Sequence, residues 1–210
     1  MSGGIAFSGL VGGVVALIVS QRIVWRVAVD VGRPPKKFPA WSYAVAGIVG
    51  GVTGWFSSRT TFVAALLLAL VTAQLLLQAP LDLLMRRLSR PVTFIALVAT
   101  VSAVIVDAIF SDTARHAVVA FATSSFVLVV YALLYRLSPR SLGWGDVLLV
   151  VPLALTIGYV AVDRLLVWQL LACTSAAVHA VILRLTRQAT TIPFGPHLLI
   201  AAWLVLLASV

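Results

Sequence analysis

The chain has 210 residues, of which 62% are hydrophobic and only 10% are charged. A soluble domain carries charge on roughly a quarter of its residues. The composition therefore excludes an ordinary soluble enzyme and a disordered chain, and it indicates an all-α, polytopic membrane protein. The single cysteine, Cys173, excludes a disulfide framework and a cysteine metal site. The net charge of +9 comes from short basic clusters between apolar runs, a pattern typical of membrane loops rather than of nucleic-acid binding.

Charged residues divide the sequence into eight apolar stretches, each near the ~20 residues that a helix needs to cross the hydrocarbon. We therefore expect about eight transmembrane helices in a single domain over residues 1–210. No basic residue precedes the first stretch, which is also too long for the apolar region of a cleavable signal peptide. The predicted helices are Gly3–Gln21, Phe38–Ser58, Thr60–Leu81, Pro91–Ser111, Ala117–Tyr135, the segment between Arg140 and Asp163, Leu165–Leu183 and Gln188–Val210.

The lysines and arginines are distributed unevenly between alternate loops. The loops after predicted helices 1, 3, 5 and 7 hold 12 of these residues, and the loops after helices 2, 4 and 6 hold 3. By the positive-inside rule the first set faces the cytoplasm, and both termini of this multi-pass cell-membrane protein face outward. The longest basic loop, residues 22–37, is too short for a domain. We expect it to lie near anionic lipid, and the alternative is that it receives a cytoplasmic partner.

The acidic residues are six aspartates, and four of them have a simple interpretation. Asp30, Asp112 and Asp163 fall in predicted loops, where we expect solvated charges. Asp107 lies inside the fourth predicted helix near its outer end, and we expect it to reach the outer surface.

The other two, Asp82 and Asp146, lie at matching depth. Asp82 precedes Arg86 by four residues and Asp146 follows Arg140 by six, which corresponds to about 6 and 9 Å along a helix. Intramembrane carboxyls at such a position usually face the bundle interior or a wet cavity. Two adjacent carboxyls share one proton, so that one can take a proton from water while the other polarises a peptide carbonyl. The alternative is two unrelated aspartates, each balanced by a neighbouring arginine.

Three sequence segments resemble motifs of the prepilin peptidase (type IV leader peptidase) family of membrane aspartic proteases. Residues 143–147, Gly-Trp-Gly-Asp-Val, are similar to the family's G-x-G-D-V-K-L motif, and residues 81–93 are similar to its first motif, an Asp followed by a basic segment and L-T. Residues 192–198, Ile-Pro-Phe-Gly-Pro-His-Leu, resemble the I-P-F-G-P-F-L sequence that opens the last helix of the family. The 64-residue separation of the two aspartates also fits the family.

The resemblance implies an eight-helix aspartic endopeptidase that removes the cytoplasmic leader of prepilin-like (type IV or Flp-type) precursors. Asp82 and Asp146 match the catalytic residues. The resemblance implies no metal and no organic cofactor, and the short cysteine-free first loop implies no methyltransferase segment with its zinc site. The residues of the matching motifs that would support the backbone are Gly143, Gly145, Pro193, Gly195 and Pro196.

Two departures from the family pattern keep other functions open. Leu148 stands where the family has Lys, and Ser89-Arg90 stands where the first motif has Pro-Asp or Pro-Asn. These replacements favour an inactive relative that binds pilin-like helices without cutting them. A third hypothesis is a small proton-coupled transporter that uses Asp82, Asp107 and Asp146, although carriers usually place such acids near the bilayer midplane. His116, His179 and His197 show no paired-ligand spacing in the sequence, which disfavours a metalloprotease.

Overall fold

The computed structural model describes residues 40–57, 59–138, 142–186 and 192–209, and in these ranges it contains seven α-helices, one 3₁₀ turn and no strand. The all-α prediction is confirmed for this part of the chain. The first predicted helix and the basic loop 22–37 lie outside the described residues. The helices are α1 (Ala40–Ser57), α2 (Phe62–Met85), α3 (Arg90–Phe110), α4 (Ala114–Leu137), α5 (Trp144–Val160), α6 (Leu165–Leu185), preceded by the 3₁₀ turn Val162–Arg164, and α7 (Gly195–Ser209).

Four of these helices are long and apolar enough to cross a membrane. The candidate spans are Phe62–Leu83, Arg90–Phe110, Ala114–Leu137 and Val162–Leu185. Three further apolar helices, Tyr43–Ser57, Trp144–Val160 and Gly195–Ser209, are shorter. The 17 residues of α5 extend about 25 Å, which is less than the ~30 Å hydrocarbon thickness. The helices are consistent with a membrane protein, but the expected count of about eight spans is not confirmed.

Two helix boundaries differ from the predictions near the site. Helix α2 continues to Met85, so that Asp82 lies in its last turn rather than at its end, and Pro80 is accommodated inside it. Helix α7 begins at Gly195 rather than at Gln188. A residue that precedes proline is disfavoured in the α region. Because Ile192 precedes Pro193, we expect the helix to begin after this proline.

Helix α5 forms the centre of the bundle. Eleven of its 17 residues are buried, and its packing against α4 is the most extensive between any two described helices. A Cβ atom on Gly158 would lie 2.9 Å from Thr123 Cβ and 3.0 Å from Ala120 Cα, so glycine lets the two backbones approach closely. Helix α2 packs against α1, α3 and α7, and α3 packs against both α2 and α5.

The helices bring their termini together at one end of the bundle. Only residues 86–89 connect α2 to α3, which pack side by side and therefore run antiparallel. The last turn of α2 and the first turns of α3 and α5 line one cavity at this end, and the start of α7 lies beside Asp82. We call this end of the bundle the basic end, because Arg86, Arg87 and Arg90 lie there.

Candidate functional site

Asp82 is held in the last turn of α2, close to where that helix stops. Arg86 adopts a left-handed conformation, with φ of 52°, and its backbone N–H donates to the Asp82 carbonyl oxygen at 2.8 Å. This conformation is uncommon for a residue other than glycine and ends the helix one turn beyond the aspartate. The Asp82 side chain itself is buried, with only 6% of the residue exposed.

Asp146 is held in the first turn of α5 by Gly143, the residue that caps this helix. The Gly143 backbone N–H donates to Asp146 Oδ2 at 3.2 Å, and the Asp146 backbone N–H donates to the Gly143 carbonyl at 3.0 Å. Gly143 has no side chain, so only the carboxylate half of a capping box is formed. A Cβ at Gly143 would lie 3.1 Å from Asp146 Oδ2, which explains why this position favours glycine.

Both carboxyls line one cavity of about 670 Å³ at the basic end. They come from different helices, Asp82 from α2 and Asp146 from α5. Neither Arg87 nor Arg90 forms an ion pair with either carboxyl, although both arginines belong to the cavity wall. The wall is formed by Leu81, Asp82, Arg86, Arg87, Leu88, Ser89, Arg90, Pro91, Gly143, Trp144, Gly145 and Asp146.

Leu88 fills the space between the three segments that carry the sequence motifs. A Cβ on Gly145 would lie 3.3 Å from Leu88 Cβ, and a Cβ on Gly195 would lie 3.1 Å from Leu88 Cδ2. The Cβ on Gly195 would also lie 2.8 Å from Asp82 Oδ2, closer than real Cβ contacts allow. Glycine at 195 therefore lets Leu88 and the Asp82 carboxyl approach the backbone of α7.

The start of α7 faces Asp82 through its backbone. The Gly195 backbone lies beside the Asp82 carboxyl, and Asp82 Oδ2 is buried without a hydrogen-bond partner in the described part of the chain. Pro196 is buried in the first turn of α7, a position where its missing N–H costs no helical hydrogen bond. Pro193 is half-buried in the segment that leads into this turn. Of the predicted support residues, Gly143 and Gly145 line the cavity and Gly195 lies beside Asp82.

The two departures from the family pattern fall at different places. Ser89, which caps α3, and Arg90, which begins it, belong to the cavity wall. Leu148 is half-buried on α5 and is not part of that wall. Leu148 therefore lies outside this cavity, whereas Ser89 and Arg90 line it.

Asp107 lies far from this site, near the opposite end of α3. Ser111 Oγ donates to its Oδ1 at 2.8 Å, and Thr113 Oγ1 donates to its Oδ2 at 3.2 Å. The Tyr159 hydroxyl of α5 also donates to Asp107 Oδ2. Seventeen residues separate Arg90 from Asp107, or about 26 Å of helix. The side chain therefore joins α3 to α5 at the end remote from Asp82.

A histidine pair was not predicted from the sequence. His179 Nδ1 lies 3.0 Å from His197 Nε2, and His197 Nδ1 lies 3.0 Å from Ser175 Oγ. The two histidines are 18 residues apart on α6 and α7, a separation that carries no periodic signal. Among the described residues, no three His, Cys, Asp or Glu side chains come together as metal ligands.

Comparisons with known proteins give no match: no family model, no curated protein and no solved structure is similar to this chain.

Proposed function

We propose that this protein is a membrane aspartic endopeptidase in which Asp82 and Asp146 form the catalytic pair. The observation that carries the proposal is the position of these two buried aspartates, which come from different helices and line one cavity. Burying a carboxyl is costly unless it is neutralised, paired or hydrogen-bonded, so carboxyls inside membrane helices are rare and usually functional. Two carboxyls that line the same cavity can provide the acid and the base that peptide hydrolysis needs.

The proposed reaction uses one proton shared by the two carboxyls. The ionised carboxylate takes a proton from a water molecule, whose oxygen attacks the scissile carbonyl carbon, while the protonated carboxyl donates its proton to the carbonyl oxygen. The tetrahedral intermediate then collapses as the C–N bond breaks: the leaving nitrogen takes the proton that the first carboxyl gained from water, and the other, now ionised carboxylate takes a hydroxyl proton as the carbonyl re-forms. The pair again holds one proton. Asp82 Oδ2, which has no partner among the described side chains, is available for one of these contacts. The chemistry requires no metal and no organic cofactor.

The proposed substrate is the leader of a pilin-like precursor, on the basis of the resemblance in residues 81–93, 143–147 and 192–198. The distribution of lysine and arginine supports a cytoplasmic basic end. In such a precursor the cleavage point lies just before the apolar helix, and the leader would reach the cavity from the cytoplasmic side.

Two alternatives remain open. An inactive relative is favoured by Ser89 and Arg90, because both line the cavity in place of the family's Pro-Asp or Pro-Asn. A proton-coupled carrier would require Asp107 to exchange protons with the pair. That carboxyl is bonded to Tyr159, Ser111 and Thr113 instead, at the opposite end of the bundle.

The test is leader cleavage by single variants that are co-expressed with a pilin precursor. Asparagine retains the shape of aspartate but cannot exchange the shared proton, so Asp82→Asn and Asp146→Asn should each abolish cleavage. Their effects should not add in the double variant, because loss of either partner already disables the pair. Asp107→Asn, at the remote end, should cleave at a substantial rate.

The variants must be compared at matched membrane expression, with thermal unfolding as a measure of folding. Near-normal cleavage by either Asp82→Asn or Asp146→Asn would exclude the aspartic pair. Absence of cleavage by the unaltered protein with any pilin precursor would favour the inactive relative.

A further inference from the structure

Three arginines line the outer part of the cavity that holds the two aspartates. Arg86, Arg87 and Arg90 belong to its wall and are exposed. Asp82 and Asp146 belong to the same wall but are buried, with 6% and 8% of each residue exposed. Helix α2 runs toward the basic end, so Arg86 lies about 6 Å beyond Asp82 along its axis. The aspartates therefore form the deep part of the cavity, and the arginines form its rim.

Two of the rim arginines have no counter-charge in the described part of the chain. Neither Arg87 nor Arg90 forms an ion pair there. Arg90 begins α3, whose first turn contains no acidic residue, and the Ser89 side chain forms no capping hydrogen bond. A positive charge in the first turn of a helix is unfavourable, because the helix dipole favours negative charge at that end. The positive charge of the rim is therefore not neutralised by the described residues.

The charges around the cavity favour a ligand that carries a carboxylate. Two carboxyls that share one proton contribute one negative charge, and the three guanidinium groups contribute three positive charges, which leaves a net charge of +2. A cleft lined mainly by one sign of charge concentrates its electric field on the bound ligand. Guanidinium groups bind carboxylates through two parallel N–H···O bonds. Lysine or arginine in a bound peptide would instead be repelled at the rim.

The position of the rim determines which part of a substrate it contacts. If the scissile bond lies at the buried aspartates, as proposed above, the apolar helix of the precursor extends toward the hydrocarbon and the leader passes the rim. An extended chain advances ~3.3 Å per residue, so the distance from Asp82 to Arg86 along the cavity corresponds to about two residues. The long arginine side chains extend this range. The rim thus meets the leader about two to four residues before the scissile bond.

We propose that Arg87 and Arg90 select precursors whose leader carries Asp or Glu about two to four residues before the scissile bond. The inference rests on the proposed function, because it names the substrate class of the same cavity. Arg90 stands where the family pattern has Asp or Asn, so this position attracts the charge that an aspartate would repel. Both arginines share one wall with the aspartates, which favours a ligand that reaches both over a lipid headgroup at the membrane surface.

The first test is cleavage of one pilin precursor in three forms, with two Glu, two Gln or two Lys in the stretch two to four residues before the scissile bond. The assay uses an uncharged detergent without anionic lipid. The Glu form should be cleaved at least threefold faster than the Gln form, and the Lys form most slowly, since one exposed ion pair changes an equilibrium by up to about fivefold. The preference should shrink in 1 M salt, where the screening length falls to about 3 Å.

A double variant and a matched control assign the preference to the rim. Arg87→Gln combined with Arg90→Gln should cleave the three forms at similar rates. Arg136→Gln should keep the preference, because Arg136 is an exposed arginine in the last turn of α4 that does not belong to the cavity wall. Equal cleavage of the three forms by the unaltered protein would overturn the proposal. An equal loss of preference in Arg136→Gln would also overturn it, since overall charge would then be the cause.

Binding measurements separate this proposal from the peptidase proposal. The affinity of the unaltered protein for labelled leader peptides with Glu, Gln or Lys is measured by fluorescence anisotropy in the same detergent. Tightest binding of the Glu peptide without cleavage of any precursor would support selection of acidic leaders and count against the peptidase. Cleavage of all three forms at one rate would do the reverse. If the double variant binds the three peptides as the unaltered protein does but loses binding to phosphatidylglycerol vesicles, the arginines bind lipid headgroups and the proposal is wrong.

Discussion

Gly195→Ala tests whether the close approach of α7 fixes the Asp82 carboxyl. The new Cβ atom would lie 2.8 Å from Asp82 Oδ2, whereas ordinary contacts begin at 3.4 Å, so the two atoms reach an ordinary contact only when they separate by about 0.6 Å. The nearest atoms are the ends of the Asp82 and Leu88 side chains, which can rotate without moving a backbone. We therefore expect the free energy of unfolding to change by less than about 1 kcal/mol. A displacement of about 1 Å costs about 10²-fold in rate, so we expect cleavage to fall at least ~10-fold.

Gly158→Ala is the matched control, since its Cβ would be equally crowded but far from the aspartates. The atoms in its way are Thr123 Cβ at 2.9 Å and the Ala120 Cα at 3.0 Å, and neither can move without the backbone of α4. This variant should lose about 1–3 kcal/mol of stability and cleave normally per folded molecule. The assay is thermal unfolding of both variants in detergent, with leader cleavage at equal amounts of folded protein. The reasoning is refuted if Gly195→Ala cleaves at the unaltered rate, or if it loses as much stability as Gly158→Ala.

Three further predictions follow from the basic end, the remote cluster and the shared proton. Cys173→Ser removes the exposed native thiol. In that background, single cysteines introduced at Ser89 and Ser138 should be labelled only from the cytoplasmic side. Labelling of either cysteine from outside intact cells would show that the orientation is the reverse of the one expected. Tyr159→Phe should lower the free energy of unfolding by about 1 kcal/mol, because Asp107 loses one donor but keeps Ser111 and Thr113. Cleavage should not change in this variant. An unaltered unfolding temperature would show that this hydrogen bond does not stabilise the fold. The cleavage rate should fall at low pH, where the pair has no base, and at high pH, where it has no acid; a rate that rises steadily with pH would contradict a shared proton.

The sequence was sufficient to predict that the two aspartates lie at the same end of the bundle, because that position depends only on local order along the chain. The boundary between an apolar stretch and a basic cluster predicts where a helix meets the end of the bundle. That is why Asp82 and Asp146 were expected at one level, and both line the cavity there. The glycine at 143 was also predictable, since a helix cap involves residues only three positions apart.

Contacts between distant helices could not be predicted in this way. The position of Leu88 depends on how closely α5 and α7 approach the α2–α3 connection, and no periodicity encodes that distance. The same holds for the pairing of His179 with His197 and of Asp107 with Tyr159. The number of spans was also not determined, because composition shows that α5 is apolar but not that it ends after 17 residues.

The short connection between α2 and α3 has a mechanical consequence for the pair of aspartates. Four residues, one of them fixed in a left-handed turn at Arg86, leave this antiparallel hairpin little freedom to open. Helices α4 and α5 form a second stiff unit, because Gly158 allows their backbones to interlock. Asp82 belongs to the first unit and Asp146 to the second. Because the two aspartates stand on separate hairpins, a slide of one hairpin against the other would change the gap between the carboxyls, at the place where Leu88 packs against Gly145.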